Sequence, residues 1–154
     1  MHYPCLIECS NNEGKLHYGS IMDASEQEIL SVILAGLGLG PQADTASMFT
    51  CYAEELLAFD VTAPTVYDGL DSFRQTWQGT RNDDRAIPRV DVMDMRIHAD
   101  STLAYATCLL NVLARDGASL MQAPLRATFC LRRSDGRWRI VHQHISRVYD
   151  ESDD

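Results

Sequence analysis

The sequence has no uninterrupted apolar run near the roughly 18 residues a membrane-spanning helix needs, so no membrane anchor is expected. It is also poor in positive charge. Thirteen Lys and Arg against 22 Asp and Glu leave a formal net charge of -9 over 154 residues. Nucleic acids are bound through clustered Lys and Arg, so this balance argues against DNA or RNA as a partner. Arg132, Arg133, Arg137 and Arg139 do cluster, but around a single turn, where solvated charge is the ordinary outcome. No cysteine framework is present either. Cys5, Cys9, Cys51, Cys108 and Cys130 are odd in number and scattered, with no secretory leader ahead of them. Reduced thiols in a cytoplasmic protein are the expectation. No phosphate loop is found: LGLGP at 37–41 has no strand before it and no Lys-Ser/Thr after it. No cofactor is expected.

What is present is 45% hydrophobic content, enough for one globular domain with its own core. Residues 1–21 read as an extension, either a loosely attached hairpin or irregular chain. There Cys5 and Cys9, near His2 and His17, have zinc-like spacing in the first pair but no finger-like second pair. Ser25-Glu26-Gln27-Glu28 has the form of a capping box, and Ile29, Leu30, Val32, Ile33 and Leu37 follow at helical spacing. Gly36, Gly38, Gly40 and Pro41 end that helix. A second helix is expected from Asp44 or Thr45 to Leu57, two very short strands around Pro64, and a third helix from Gly69. Leu70, Phe73 and Trp77 form the inward stripe of that third helix. From Arg89 the pattern turns to strands: about 89–97, 102–114, 119–133 and 137–149. The acidic end, residues 150–154, reads as a solvating tail.

The clearest local signal is the turn Asp135-Gly136 between the last two strands. An even loop there pairs Arg133 with Trp138, Leu131 with Ile140, Phe129 with His142 and Ala127 with His144. One face then carries Phe129, Ile140, His142 and His144; the other carries Arg126, Thr128, Gln143 and Ile145. Counting apolar residues alone turns the first of these faces inward. Helices first and an antiparallel meander after them give an α+β fold.

LLAFDVTAPTVYDG at 56–69, LDSFRQTW at 70–77 and RATFCLRRSDGRWRIVHQHIS at 126–146 together resemble the nuclear transport factor 2-like superfamily. The nearest branches are the SnoaL-like and ketosteroid isomerase-like proteins, with likeness also to the association domain of calmodulin-dependent kinase. The resemblance covers roughly residues 22–149, read as one domain. It implies a cone: a strongly curved antiparallel sheet of four long strands plus short ones, with about three N-terminal helices enclosing a pocket. It also implies a small-molecule ligand and a homodimer through the outer sheet face. By the same resemblance the Arg126, Thr128, Gln143 and Ile145 face turns into the pocket. Thr107 and Asn111 of the adjacent strand join it, with Phe73 and Trp77 from the third helix.

Asp60 stands where isomerase-like members carry a general base, and a carboxylate at the mouth of an apolar pocket can move protons beside a carbonyl. The plainer alternative is that it caps the local turn or hydrogen-bonds within the AFDVTAP segment. The isomerase pattern also needs a tyrosine in the first helix and a protonated acid on the sheet. Here the first helix has no tyrosine, and Arg126 stands at the sheet position. Arginine cannot act as a neutral acid, though it can orient an anion or pair with Asp60 or another acid. The expectation is therefore a domain binding a small, partly apolar carbonyl or carboxylate compound. Its chemistry, where there is any, would be isomerase, cyclase or dehydratase proton transfer. The alternative is a non-catalytic binding or dimerisation module. His142 and His144, with His98 and Asp94, give a weaker metal reading; structural and interface roles suit them better.

Overall fold

The computed structural model describes residues 22–39, 44–61, 64–80, 89–116 and 119–148. The Cys5–Cys9 zinc reading, the N-terminal extension, Gly117 and the acidic tail lie outside these. Among the described residues, three helices and six strands follow in order: α1 (Ala24–Gly36), α2 (Thr45–Phe49), β1 (Tyr52–Phe59), β2 (Val66–Asp68), α3 (Leu70–Thr80), β3 (Arg89–Ala99), β4 (Leu103–Asp116), β5 (Ser119–Ser134) and β6 (Arg137–Arg147). The sheet order is β2-β1-β6-β5-β4-β3, and only the β1–β6 pairing is parallel. No helix among the described residues is long and apolar enough to cross a membrane.

Local chemistry explains where the elements start and stop, with two departures from the sequence reading. The α1 capping box sits two residues earlier than Ser25. Asp23 accepts from the Glu26 backbone N–H at 2.8 Å, and the Glu26 carboxylate accepts from the Asp23 N–H at 3.0 Å. The second helix does not reach Leu57. It stops at Phe49, and Tyr52–Phe59 becomes a strand. Glu54, Glu55, Leu56 and Leu57 are good helix formers, but partners on both edges of β1 override that propensity.

The β5–β6 turn forms as its sequence demands, with positive φ at Asp135 (52°) and Gly136 (74°). Arg133 faces Trp138 and Leu131 faces Ile140, but beyond them the register shifts. Cys130 pairs with His142, so Val141 is an extra residue, a β-bulge. Phe129 then faces Gln143, Ala127 faces Ile145 and Thr128 faces His144. A second irregularity lies in β3, where Asp94 has φ 51° and the pairing with β4 shifts. Bulges of this kind add twist and curl an open sheet.

The concave face holds the core: Ala104, Ala106, Cys108 and Leu110 of β4, Leu125, Ala127, Phe129 and Leu131 of β5, and Trp138 and Ile140 of β6. α1 lays Ile29, Ile33 and Gly36 against that face. Gly36 permits an unusually close approach, since a Cβ there would stand 3.0 Å from Ile140 Cδ1 and 3.3 Å from the Tyr52 hydroxyl.

Candidate functional site

The polar centre of the concave face is Tyr52 with Gln143. Both are buried, and Gln143 stands out among a cluster that is otherwise apolar. The Tyr52 hydroxyl lies 2.9 Å from the Gly36 carbonyl oxygen and 3.0 Å from the Gln143 side-chain amide. One hydroxyl has one proton. With that proton donated to Gly36, the Gln143 amide satisfies the hydroxyl by presenting its NH2 group. Burial, followed by the negative charges of Cys51 and Asp60, drives the Tyr52 pKa far above that of a free phenol. Tyr52 therefore stays protonated, with its one proton engaged by the Gly36 carbonyl. Tyr52 falls in the segment expected as the second helix but lies in β1, and it is the strand that brings it to Gln143.

Asp60 follows the last residue of β1 and is half-buried. Its backbone N–H donates to the Thr65 carbonyl at 3.1 Å, which ties down the β1–β2 connection. Its negative charge is the smallest of the three influences that raise the Tyr52 pKa, after burial and Cys51. Ile145 lies on the same concave side of β6 as Gln143 and is buried. Phe73 is 1% exposed and sits amid aromatics: Tyr52 at 5.1 Å, Tyr67 at 5.3 Å, Phe49 and Trp77 each at 6.1 Å between ring centroids. Trp77 closes that cluster at its exposed rim.

The other expected pocket residues lie on the opposite face, which corrects their placement. Thr107 and Asn111 share a side of β4 with the exposed Tyr105 and Leu109. Thr128 pairs with Thr107 across the strands, and Arg126 is exposed. The Arg126 guanidinium donates to the Arg147 carbonyl at 3.0 Å, a surface contact and not a partnership with Asp60. The physical reason is the Val141 bulge. Without an extra residue, Arg126 and Thr128 would share a face with Gln143 and Ile145; with it, they share one with His142 and His144. For the same reason Phe129 and Ile140 turn inward, although the resemblance had put them outside with the histidines.

His142 and His144 do face outward, and their rings are engaged locally. The His142 Nδ1–H donates to the Leu57 carbonyl at 2.8 Å, and Phe59 stands edge-on to both rings. His98 stacks on Tyr105 at 4.9 Å, on the far strands. Among the described residues no three His, Cys, Asp or Glu side chains gather as a metal site. Burial pushes the Cys108 thiol up to about 12 and raises those of Cys51 and Cys130, which suits core packing and not nucleophilic attack. A cleft of about 850 Å³ opens between the helices at the opposite end of β1 from Asp60, and shares Tyr52 and Phe49 with the aromatic cluster described above.

No curated protein matches the chain by sequence. Solved structures match its fold. One is a nuclear transport factor 2-like protein of unknown function from Pseudomonas putida, 24% identical, covering 87% of this chain and 94% of its own, with a TM-score of 0.73. A candidate ketosteroid isomerase from Parabacteroides distasonis is 21% identical over 82% of this chain and 89% of its own, with a TM-score of 0.63. A protein described as a candidate calcium/calmodulin-dependent kinase II association domain, from Xanthomonas campestris, is 14% identical over 83% and 91%, with a TM-score of 0.64. At these identities the likeness speaks for the fold alone. The family assignment rests on the sequence: the SnoaL-like domain matches residues 30–150, and the chain belongs to that family.

Proposed function

We propose that this SnoaL-like domain binds a small, partly apolar molecule bearing a carbonyl or carboxylate against the concave face near Asp60. The reading is carried by one observation: half-buried Asp60 ends the strand whose first residue, Tyr52, meets the buried Gln143 amide on the apolar concave face. A carboxylate base at the edge of an apolar face is what proton transfer beside a carbonyl requires. Asp60 would take the proton in isomerase, cyclase or dehydratase chemistry. Arg126 has no part in this chemistry, because its guanidinium stands outside on the Arg147 carbonyl.

A second reading is assembly through the outer sheet face. It is favoured by the exposed apolar residues Leu57, Val66, Leu103, Tyr105 and Leu109 on that side, which a second copy of the chain would cover. Native mass spectrometry tests both readings, using a panel of aromatic ketones and carboxylates with intact and Asp60→Asn protein. A retained adduct weakened about ten-fold or more by Asp60→Asn is expected. An adduct indifferent to that change, or none at millimolar probe, counts against the pocket. The same spectra give the mass of the assembly: a dimer is expected, and a strict monomer removes the second reading.

A further inference from the structure

We propose that the cleft at the start of β1 and β6 is a second binding site, for a monoanionic aromatic carboxylate. Its volume of about 850 Å³ lies within the range of small-molecule sites. It is distinct from the Asp60 region. The cleft holds Cys51 and Tyr52 ahead of β1 and at its first residue, whereas Asp60 follows the strand's last residue and is not among the lining residues.

The lining suits one ligand chemistry. Phe49, Tyr52 and Trp138 supply flat aromatic surface. Arg74, Arg137 and Arg139 supply positive charge, in a chain whose net charge is -9. Arg74 is already shared, pairing with Asp71 at 2.9 Å and lying 5.5 Å over the Phe49 ring. Arg137 and Arg139 have no ion pair among the described residues, so their guanidinium groups remain for an anion.

A second observation points to an oxygen acceptor. Trp138 is 3% exposed, and its indole Nε1–H is buried with no hydrogen-bond acceptor among the described residues. A buried donor left unpaired costs free energy that a ligand oxygen would recover. The opposite charges in the cleft set the limit on the ligand. Glu28 and Glu54 also line it; Glu28 lies 4.0 Å from Arg133, while Glu54 has no ion pair among the described residues. Two carboxylates on the walls repel a phosphate dianion more than a single carboxylate. A flat monoanion is what remains.

The test is a titration of the isotope-labelled protein with 2-naphthoate and, in parallel, the neutral 2-naphthamide, followed at the two tryptophan indole N–H resonances. Trp138→Phe assigns them. The expected result is a saturable downfield shift of the Trp138 N–H with 2-naphthoate and a much weaker one with the amide. Arg137→Gln combined with Arg139→Gln should weaken binding about ten-fold. Glu54→Gln should strengthen it several-fold, a change of opposite sign that loss of folding cannot imitate. Asp60→Asn should leave it unchanged, which separates this site from the one proposed above. No saturable shift by about 10 mM probe, or equal binding of acid and amide, overturns the proposal. So does a response that follows Asp60 in place of the arginines, since that would locate the ligand on the concave face.

Discussion

Replacing Phe73 by alanine is expected to lower the unfolding free energy by about 3–5 kcal/mol, the usual cost of truncating a fully buried phenylalanine. Its ring joins α2, β1, β2 and the outer turn of α3, through Phe49, Tyr52, Tyr67 and Trp77. Three of those rings are themselves buried, so the space left behind has little freedom to collapse. Much of the loss is dispersion and apolar burial, with smaller contributions from the edge-to-face geometry. Trp77→Ala at the rim should cost clearly less, because 37% of that side chain's surface already meets solvent. Urea unfolding of the two variants checks the ordering. A loss below about 1 kcal/mol for Phe73→Ala would mean the cluster does not hold β1 and α3 together.

The fold should also weaken progressively in alkali, beginning near pH 9. Cys108 and Tyr52 are neutral when protonated, and burial raises both pKa values above their ordinary 9.0 and 10.0, the thiol to about 12. The folded state therefore binds these protons more tightly than the unfolded chain does. Stability from Cys108 is fully present below the unfolded pKa and is lost as pH rises through the folded one. The loss approaches about 1.4 kcal/mol per pH unit within that window, giving a total on the order of 4 kcal/mol for Cys108 alone. Tyr52 adds to the slope above about pH 10. Unfolding free energies measured between about pH 8 and pH 11 should fall steadily, and Cys108→Ala should flatten the curve. A flat profile for the unaltered protein would contradict the burial of both groups.

What the sequence made legible was the chemistry of single turns and the succession of elements. Asp135-Gly136 announces its own φ values, and the first two pairs beyond it, Arg133–Trp138 and Leu131–Ile140, follow from them. The order of helices, short strands and long meander was readable too, and the resemblance supplied the cone. The Val141 bulge was not readable. Val141 favours a strand as strongly as its neighbours do, so nothing in its type marks it as the unpaired residue. One extra residue reassigns a face, and so Gln143 and Ile145 turn inward while Arg126 and Thr128 stay outside. Tyr52 was hidden for a related reason. Its segment has the residues of a helix, and only the long-range pairing with β6 makes it a strand facing Gln143.

The inward turn of Gln143 toward Tyr52 is the step on which the candidate site depends, and a double-mutant cycle reads it directly. Unfolding free energies would be compared for Tyr52→Phe, Gln143→Leu and the two combined. With the two buried groups 3.0 Å apart, the combined loss should fall short of the sum by about 1–2 kcal/mol, because each single change strands the other's buried polar group. Strict additivity would contradict it. It would mean that β6 runs without the bulge and that Gln143 faces away from Tyr52.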